Sequence, residues 1–590
     1  MVILKDRNMK VNSKNIRRNS FVQLALGLAI IIVINILGSF AFYRVDLTAD
    51  KRYTLSPATK KMLKELDGVV TFKVYLEGEF PAGFKRLRNE TREMLSQFRA
   101  YSKNIQFEFI DPIKGKDKTQ LAETYRQLAQ SGLNGTDLQV KDESGITRKL
   151  IFPGAVVSYK GKEMPLDLLL TQVGKPPSEV LNNSVQALEF GLINVIRKLS
   201  ITQKSKIAFI QGHGELAPVY TASAEAALSE YYEIDHVRMD GKPLALTTQT
   251  NDGTNPANAF VNKYKAIIIA KPDSAFPRNE LDKFMIDQFI MRGGKVLWLV
   301  DPVYAEMDSL RTKDKTLALA QDLNLDDMFF NYGVRLNPNL VVDMNSLPIP
   351  VVIDQKGNQK LIPWLFFPLL VPKSNHPIVR NLSAVKTEFV SSIDTVEVPG
   401  ITKTILLSTS RYSRVLNAPV TLSLSYLYQE PDPTQFNQPY QPVAVLLEGE
   451  FTSLFLNRIP PAMANSPEIS FRAKSLKTAM IVVSDGDVIK NQLQPGEIRP
   501  TPLPLGYDRF TGQQYGNKDF ILNAMNYLCD DSGLLSVRSR EVKLRSLDAA
   551  LVEAERLKWQ LVNIIVPILL VLGFAFAQGY WRRKRYTRSY

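Results

Sequence analysis

The densest run of chemistry-bearing residues in the sequence is Gln211-Gly212-His213-Gly214-Glu215, directly after an apolar stretch over 206–210. A strand ending in a glycine-rich turn is where open α/β sheets bind ligands, and glycines there let backbone N–H groups approach an anion. Three readings are open. Gly212, His213, Gly214 and Glu215 touch a ligand or partner; or His213 and Glu215 form the acid/base pair of a hydrolase; or the run is a tight turn with a polar cap. No nucleophile accompanies the pair. Asp301, followed by Pro302, ends another apolar run at 295–300 and could face the same expected crevice, as a catalytic or ligand-binding carboxylate or as an ordinary Asp-Pro turn.

Other chemistries lack their residues. None of the Gly-Lys pairs starting at 115, 161, 174, 241 and 294 has a glycine five places before it, so there is no phosphate loop for ATP hydrolysis. His213, His236 and His376 are dispersed without an H-E-x-x-H, and Cys529 is the single cysteine, so neither a metal site nor a cofactor is expected, and no internal disulfide can form.

The elements that must position the glycine-rich turn read as α/β. Over 203–333, strands at 206–210, 266–270 and 295–300 alternate with helices at about 223–232 and 278–291, which predicts a parallel sheet with helices on both faces. Residues 43–202 precede it as another α/β domain. There Ser56 and Pro57 start a short helix, and a strand at 69–76, a helix at 85–101 and a strand at 105–110 make a βαβ unit. Strands near 137–141, 155–159 and 162–168 and a helix at 183–199 complete it. Residues 334–545 read as β-rich and proline-rich, with a helix at 518–528. Within them the apolar segment 361–372 holds three prolines and is too short to span a bilayer, which makes it buried core or contact surface.

Two uncharged stretches, 21–42 and 561–580, are long enough to cross a hydrocarbon core of about 30 Å. Trp559 and Trp581 flank the second, which an amphipathic helix over 546–560 feeds directly. The basic tails 1–20 and 581–590 carry net +5 and +5 of the chain's +14, so the charge is a topology signal and nucleic acid is not an expected partner. Lys and Arg retained inside put both tails in the cytoplasm and the region between them outside, in the periplasm. The rival for 21–42 is a signal peptide cleaved after Ser39-Phe40-Ala41, but the apolar run exceeds the usual 7–15 or so residues. Asn563 and Pro567 suit packing against protein better than against lipid.

Asp46-Leu47-Thr48 with Arg52-Tyr53-Thr54-Leu55-Ser56, then Gly212-His213-Gly214-Glu215, then Gly516-Asn517-Lys518-Asp519-Phe520 with Arg538-Ser539-Arg540, occur in an order that resembles the GldG family over nearly the whole chain. That family comprises gliding-motility-associated auxiliary subunits of ABC transporters in Bacteroidetes, often called substrate-binding components. The resemblance implies a non-enzymatic subunit beside a separate ABC permease and a separate ATPase, with no identified ligand. The middle domain also resembles the class I glutamine amidotransferase-like, flavodoxin-like fold, whose nucleophilic cysteine would follow the strand at 295–300. Asp301-Pro302 stands there, so amidase chemistry does not carry over.

Overall fold

The computed structural model describes residues 13–40, 54–142, 145–170, 172–242, 244–249, 260–277, 280–310, 313–352, 357–460, 470–496, 500–530, 533–539 and 549–586. The chain forms two units, one holding the body 54–540 and the N-terminal helix α1 (Ser13–Phe40), the other the C-terminal helix.

The body begins at a helix cap. Ser56 Oγ accepts the Thr59 N–H at 3.1 Å and Pro57 fills the first helical position, which starts α2 (Pro57–Lys64). Strand β1 (Val70–Val74), helix α3 (Ala82–Tyr101) and the parallel strand β2 (Ile105–Phe109) form the expected βαβ unit. Helix α4 (Lys118–Gln130) follows, opened by a reciprocal cap between Asp117 and Gln120. The antiparallel strands β3 (Gly154–Tyr159) and β4 (Lys162–Asp167) complete a sheet of order β2-β1-β3-β4. Helix α5 (Pro177–Ser200) lays Leu188, Leu192, Ile193, Ile196 and Leu199 into the same apolar cluster as β1 and β3. Leu55 from the start of the body and Leu534 and Val537 from its last turn also enter that cluster. The chain therefore enters and leaves the body at one place.

The central sheet is larger. Strands β5 (Ser205–Gln211), β6 (Tyr232–Arg238), β7 (Ala266–Ala270) and β8 (Lys295–Leu299) run parallel, with α6 (Pro218–Leu228) between β5 and β6 and α7 (Leu281–Met291) between β7 and β8. Both helices differ in extent from the sequence expectation. Pro218 starts α6 early, and Tyr232 already belongs to a strand. Glu280 sits at φ 56°, outside helical space, so α7 begins only at Leu281.

The sheet is completed from the β-rich section. Strands β9 (Ile401–Ser408), β10 (Pro442–Gly449) and β11 (Thr478–Val483) extend it to the order β9-β10-β11-β8-β7-β5-β6, with β11 parallel to β8 and β10 antiparallel to both β11 and β9. Alternation along the buried strands feeds two cores. Ala266, Ile268, Ala270, Leu297 and Ile481 pack under α6 and α8 (Asn517–Cys529), while Ile267, Ile269, Val296, Trp298 and Val482 pack under α7. The apolar segment around 361–372 is the strand Gln359–Leu370, with Trp364, Phe366 and Phe367 in a further core cluster.

In the other unit, Ala549–Tyr586 is one continuous helix, α9, with Pro567 inside it. Its residues Leu551–Trp581 are long and apolar enough to cross a membrane, with a mean hydropathy of 2.3 over an 18-residue window. In α1 the corresponding apolar stretch, Phe21–Ile36, is shorter, and residues 41–42 of the expected first span lie outside the described residues.

Leu534 is 2% exposed among residues from α2 and α5. Leu534→Ala should cost about 2–5 kcal/mol in urea titrations and open the segment around Thr54–Ser56 to protease before the rest of the body.

Candidate functional site

In the parallel part of the central sheet, β6-β5-β7-β8-β11, the first strand lies between the second and third, so the order reverses between β5 and β7. Ligands bind outside the carboxyl ends of strands at such a reversal. The loops leaving β5, β7, β8 and β11 all end there, around a crevice of about 410 Å³ lined by Gly214, Leu216, Lys271, Asp301, Glu388 and Asp487 among others.

The loop leaving β5 is the glycine-rich turn. Gly214 has φ 75°, and a Cβ on it would lie 1.5 Å from Asp273 Oδ1, so only glycine fits. His213 does not open toward solvent. It is 2% exposed, its ring stacks on Phe276 at 3.7 Å, Nδ1 lies 3.1 Å from Glu215 Oε1 and Nε2 lies 3.0 Å from Asp282 Oδ2. The His213 N–H donates to Glu215 Oε2 at 2.8 Å, and its carbonyl accepts from the N–H groups of Asp273 and Ser274 at 3.1 and 3.0 Å. Asp282 also accepts the Gly241 N–H at 2.9 Å, and the Leu216 N–H donates to the Ala270 carbonyl at 3.0 Å. His213 thus clamps the loops after β5, β6 and β7 to the first turn of α7. Burial opposes a charge on the imidazole, but the hydrogen bonds and charges of Glu215 and Asp282 outweigh it and raise its pKa above the ordinary histidine value. With both nitrogens engaged, the ring has no free base for a hydrolase.

Asp301 belongs to a second, ionic cluster. It is 8% exposed; Oδ2 meets Lys271 Nζ at 3.1 Å and Oδ1 accepts the Gly486 N–H. Lys271 follows β7 in a left-handed conformation (φ 52°) and also pairs with Asp487, which Lys490 Nζ approaches at 3.0 Å. Gly486 is required here, since a Cβ on it would come within 2.4 Å of Lys271 Cβ. Asp485 accepts the N–H groups of Glu388 and Asp487 at 2.9 and 2.7 Å. Burial opposes ionisation of Asp487, yet Lys271 and Lys490 hold its pKa down to about 2. Burial, reinforced by the charges of Asp487 and Asp301, pushes Asp485 well above the carboxylate range. Burial alone would drive the Lys271 ammonium down, but Asp301 and Asp487 reverse it upward.

The crevice therefore brings Gly214 and Asp301 together, while His213 stays beneath it. Sequence reasoning missed Lys271, Glu388, Asp485, Asp487 and Lys490. The signal was present for three of them, since Lys271 and Asp485-Gly486-Asp487 follow apolar runs as Asp301 does. Among the described residues, no group of three or more His, Cys, Asp or Glu side chains is arranged to hold a metal. Asn563 and Pro567 lie in α9, in the other unit.

Fold and crevice define a doubly wound α/β module with its loops gathered at a switch point. Residues 204–524, more than half of the chain, match the family model of the ABC-type uncharacterized transport system, and the chain belongs to that family. A second model, for a domain of unknown function, matches residues 49–158. An uncharacterized protein of Borreliella burgdorferi is 22% identical over 390 residues, covering 65% of this chain and 67% of that protein. Among solved structures, the mmIFT52 N-terminal domain is 14% identical, with 55% of this chain and 98% of that chain covered at a TM-score of 0.29. A ThuA-like protein from Parabacteroides merdae is 12% identical, with 56% and 91% covered at 0.23. PurLQS from Thermotoga maritima is 11% identical, with 55% and 100% covered at 0.20. Likenesses this low carry no functional argument.

The raised pKa of His213 sets a pH dependence. The stability it contributes is fully present below the unfolded histidine value of about 6.5 and is lost as pH rises through the higher folded value. In denaturant titrations, the wild-type advantage over His213→Gln should be largest in mild acid and shrink across that window. Lys271→Met strands the buried Asp301 and leaves Asp487 with Lys490 alone, and should cost about 3–5 kcal/mol by the same measurement.

Proposed function

We propose that this chain is the membrane-anchored, non-enzymatic auxiliary subunit of an ABC transporter, acting outside the cytoplasmic membrane beside a separate permease and a separate ATPase. Family membership over residues 204–524 carries the reading. The span-length helix Leu551–Trp581 supports anchoring, and a sequence with no phosphate loop suits a subunit that leaves ATP hydrolysis to another chain. The finer topology is a second span in α1, with the basic tails on either side of the two spans in the cytoplasm and the body in the periplasm. The positive flanks support it, as does a body whose entry and exit share one core cluster. Asn563 and Pro567 of α9 then face the permease. The motifs shared with the GldG family support a role in gliding motility.

A second reading, an envelope receptor for a small ligand, is favoured by the crevice at the switch point. It predicts thermal stabilisation by some member of a panel of envelope glycans and small anions, lost in Asp301→Asn; a silent panel removes it. The hydrolase reading loses its base, because both nitrogens of His213 face carboxylates.

Purification from the native membrane in mild detergent should recover the chain with a permease and an ATPase in fixed ratio. Recovery of the chain alone would overturn the subunit assignment.

A further inference from the structure

The N-terminal domain carries one surface unlike the rest of it. Among the described residues of 54–200, the large hydrophobic side chains exposed to solvent are Val69, at 47%, and Tyr101, at 36%. Both lie beside α2. Lys60 Nζ sits 5.2 Å above the Tyr101 ring, while Val69 leads into β1, where the Val70 N–H donates to the Asn104 carbonyl at 2.8 Å. Asn104 Nδ2 in turn donates to the Leu66 carbonyl just past α2, also at 2.8 Å, which brings its neighbour Lys103 to the same edge. Lys61, Lys64 and Lys103 are exposed. The opposing acids are few: Asp67 is held by Lys160 at 2.7 Å and by Tyr159, which leaves Glu65.

A lysine-rich helix face by itself is a solvated face. Here it coincides with the exposed apolar pair, and lysine stems and a tyrosine ring around a small aliphatic group are the composition that sits at a headgroup boundary. The chain's course points the same way. The body begins at Thr54, after α1 ends at Phe40, and leaves at Ser539, ten residues before α9 begins at Ala549. Entry and exit both lie against α2 and α5.

We propose that Lys60, Lys61, Lys64 and Lys103, around Val69 and Tyr101, rest on the anionic headgroups of the membrane that holds the chain. This rests on the anchored reading above. The ammonium groups are drawn to an anionic lipid surface within about a Debye length, and Val69 and Tyr101 enter the headgroup layer.

The test uses the full chain in nanodiscs of phosphatidylcholine alone or mixed with phosphatidylglycerol, with an environment-sensitive fluorophore on Val69→Cys; the native Cys529 is buried. The expected result is a blue shift and protection from an aqueous quencher in the anionic discs, both lost in Lys61→Glu/Lys64→Glu at an unchanged melting temperature. A probe that stays water-like in both discs overturns the proposal, as does equal burial in the neutral discs. Extraction of the wild-type chain from its native membrane by alkaline carbonate would instead overturn the anchoring itself.

Discussion

An imidazole with a carboxylate on each nitrogen is the constraint on which the upper edge of the central sheet depends. In the neutral form, one nitrogen of His213 would turn a lone pair toward Glu215 or Asp282; only the cation donates to both. Holding that cation under the sheet edge ties three loops and the start of α7 into one piece. The crevice above inherits its rigidity. Lys271 follows the very residue, Ala270, whose carbonyl receives the Leu216 N–H of the clamped turn, so the ionic cluster stands on the clamp.

Several of the residues that suggested a family resemblance, Ser56, Gly516, Asn517 and Arg538 among them, prove to be joints; 46–53 and Arg540 lie outside the described residues. Asn517 accepts the Lys386 N–H at 3.0 Å and donates to the carbonyls of Lys386 and Val488 at 2.9 and 3.1 Å, knitting α8 to the short strand Val385–Lys386 and the 3-10 turn Gly486–Ile489. Gly516 allows this, since a Cβ on it would lie 2.6 Å from the Ser383 carbonyl oxygen. Arg538 lies over Phe190 and donates to the Arg380 carbonyl at 2.9 Å, and the Ser56 N–H donates to Glu189 at 2.7 Å, so both ends of the body are pinned to α5.

Elements with a strong pattern were legible. β7 and β8 are apolar runs buried on both faces, and α5 has an unbroken 3.6-residue stripe. β6 was not legible, because Tyr232–Arg238 is a sheet edge whose exposed positions carry charge, which dilutes the strand signal. Sequence reasoning missed α4 although Leu121, Tyr125 and Leu128 recur at helical spacing; it buries Leu128 alone, in a small cluster with Leu133, Phe152 and Val156. The site divides along similar lines. Gly212 to Glu215 are contiguous and stand out, and Asp301 follows the strand-end rule. Lys271, Asp487 and Lys490 become a cluster only through the strand order, which pairs β8 with β11, and no local pattern encodes that pairing.

That pairing also sets a timetable. Leu299 and Thr478 are separated by almost a third of the chain, so during synthesis β8 waits with one edge unpaired while the intervening residues are made. An open edge of apolar strand is a template for the wrong partner, and pairings between distant segments form slowly. The module therefore commits to its finished form late, once β10 and β11 have arrived. Asp485 and Asp487 arrive with them, so until then Lys271 has only Asp301 of its two ion-pair partners. Closing the sheet and neutralising its buried charge are one event in the life of this chain.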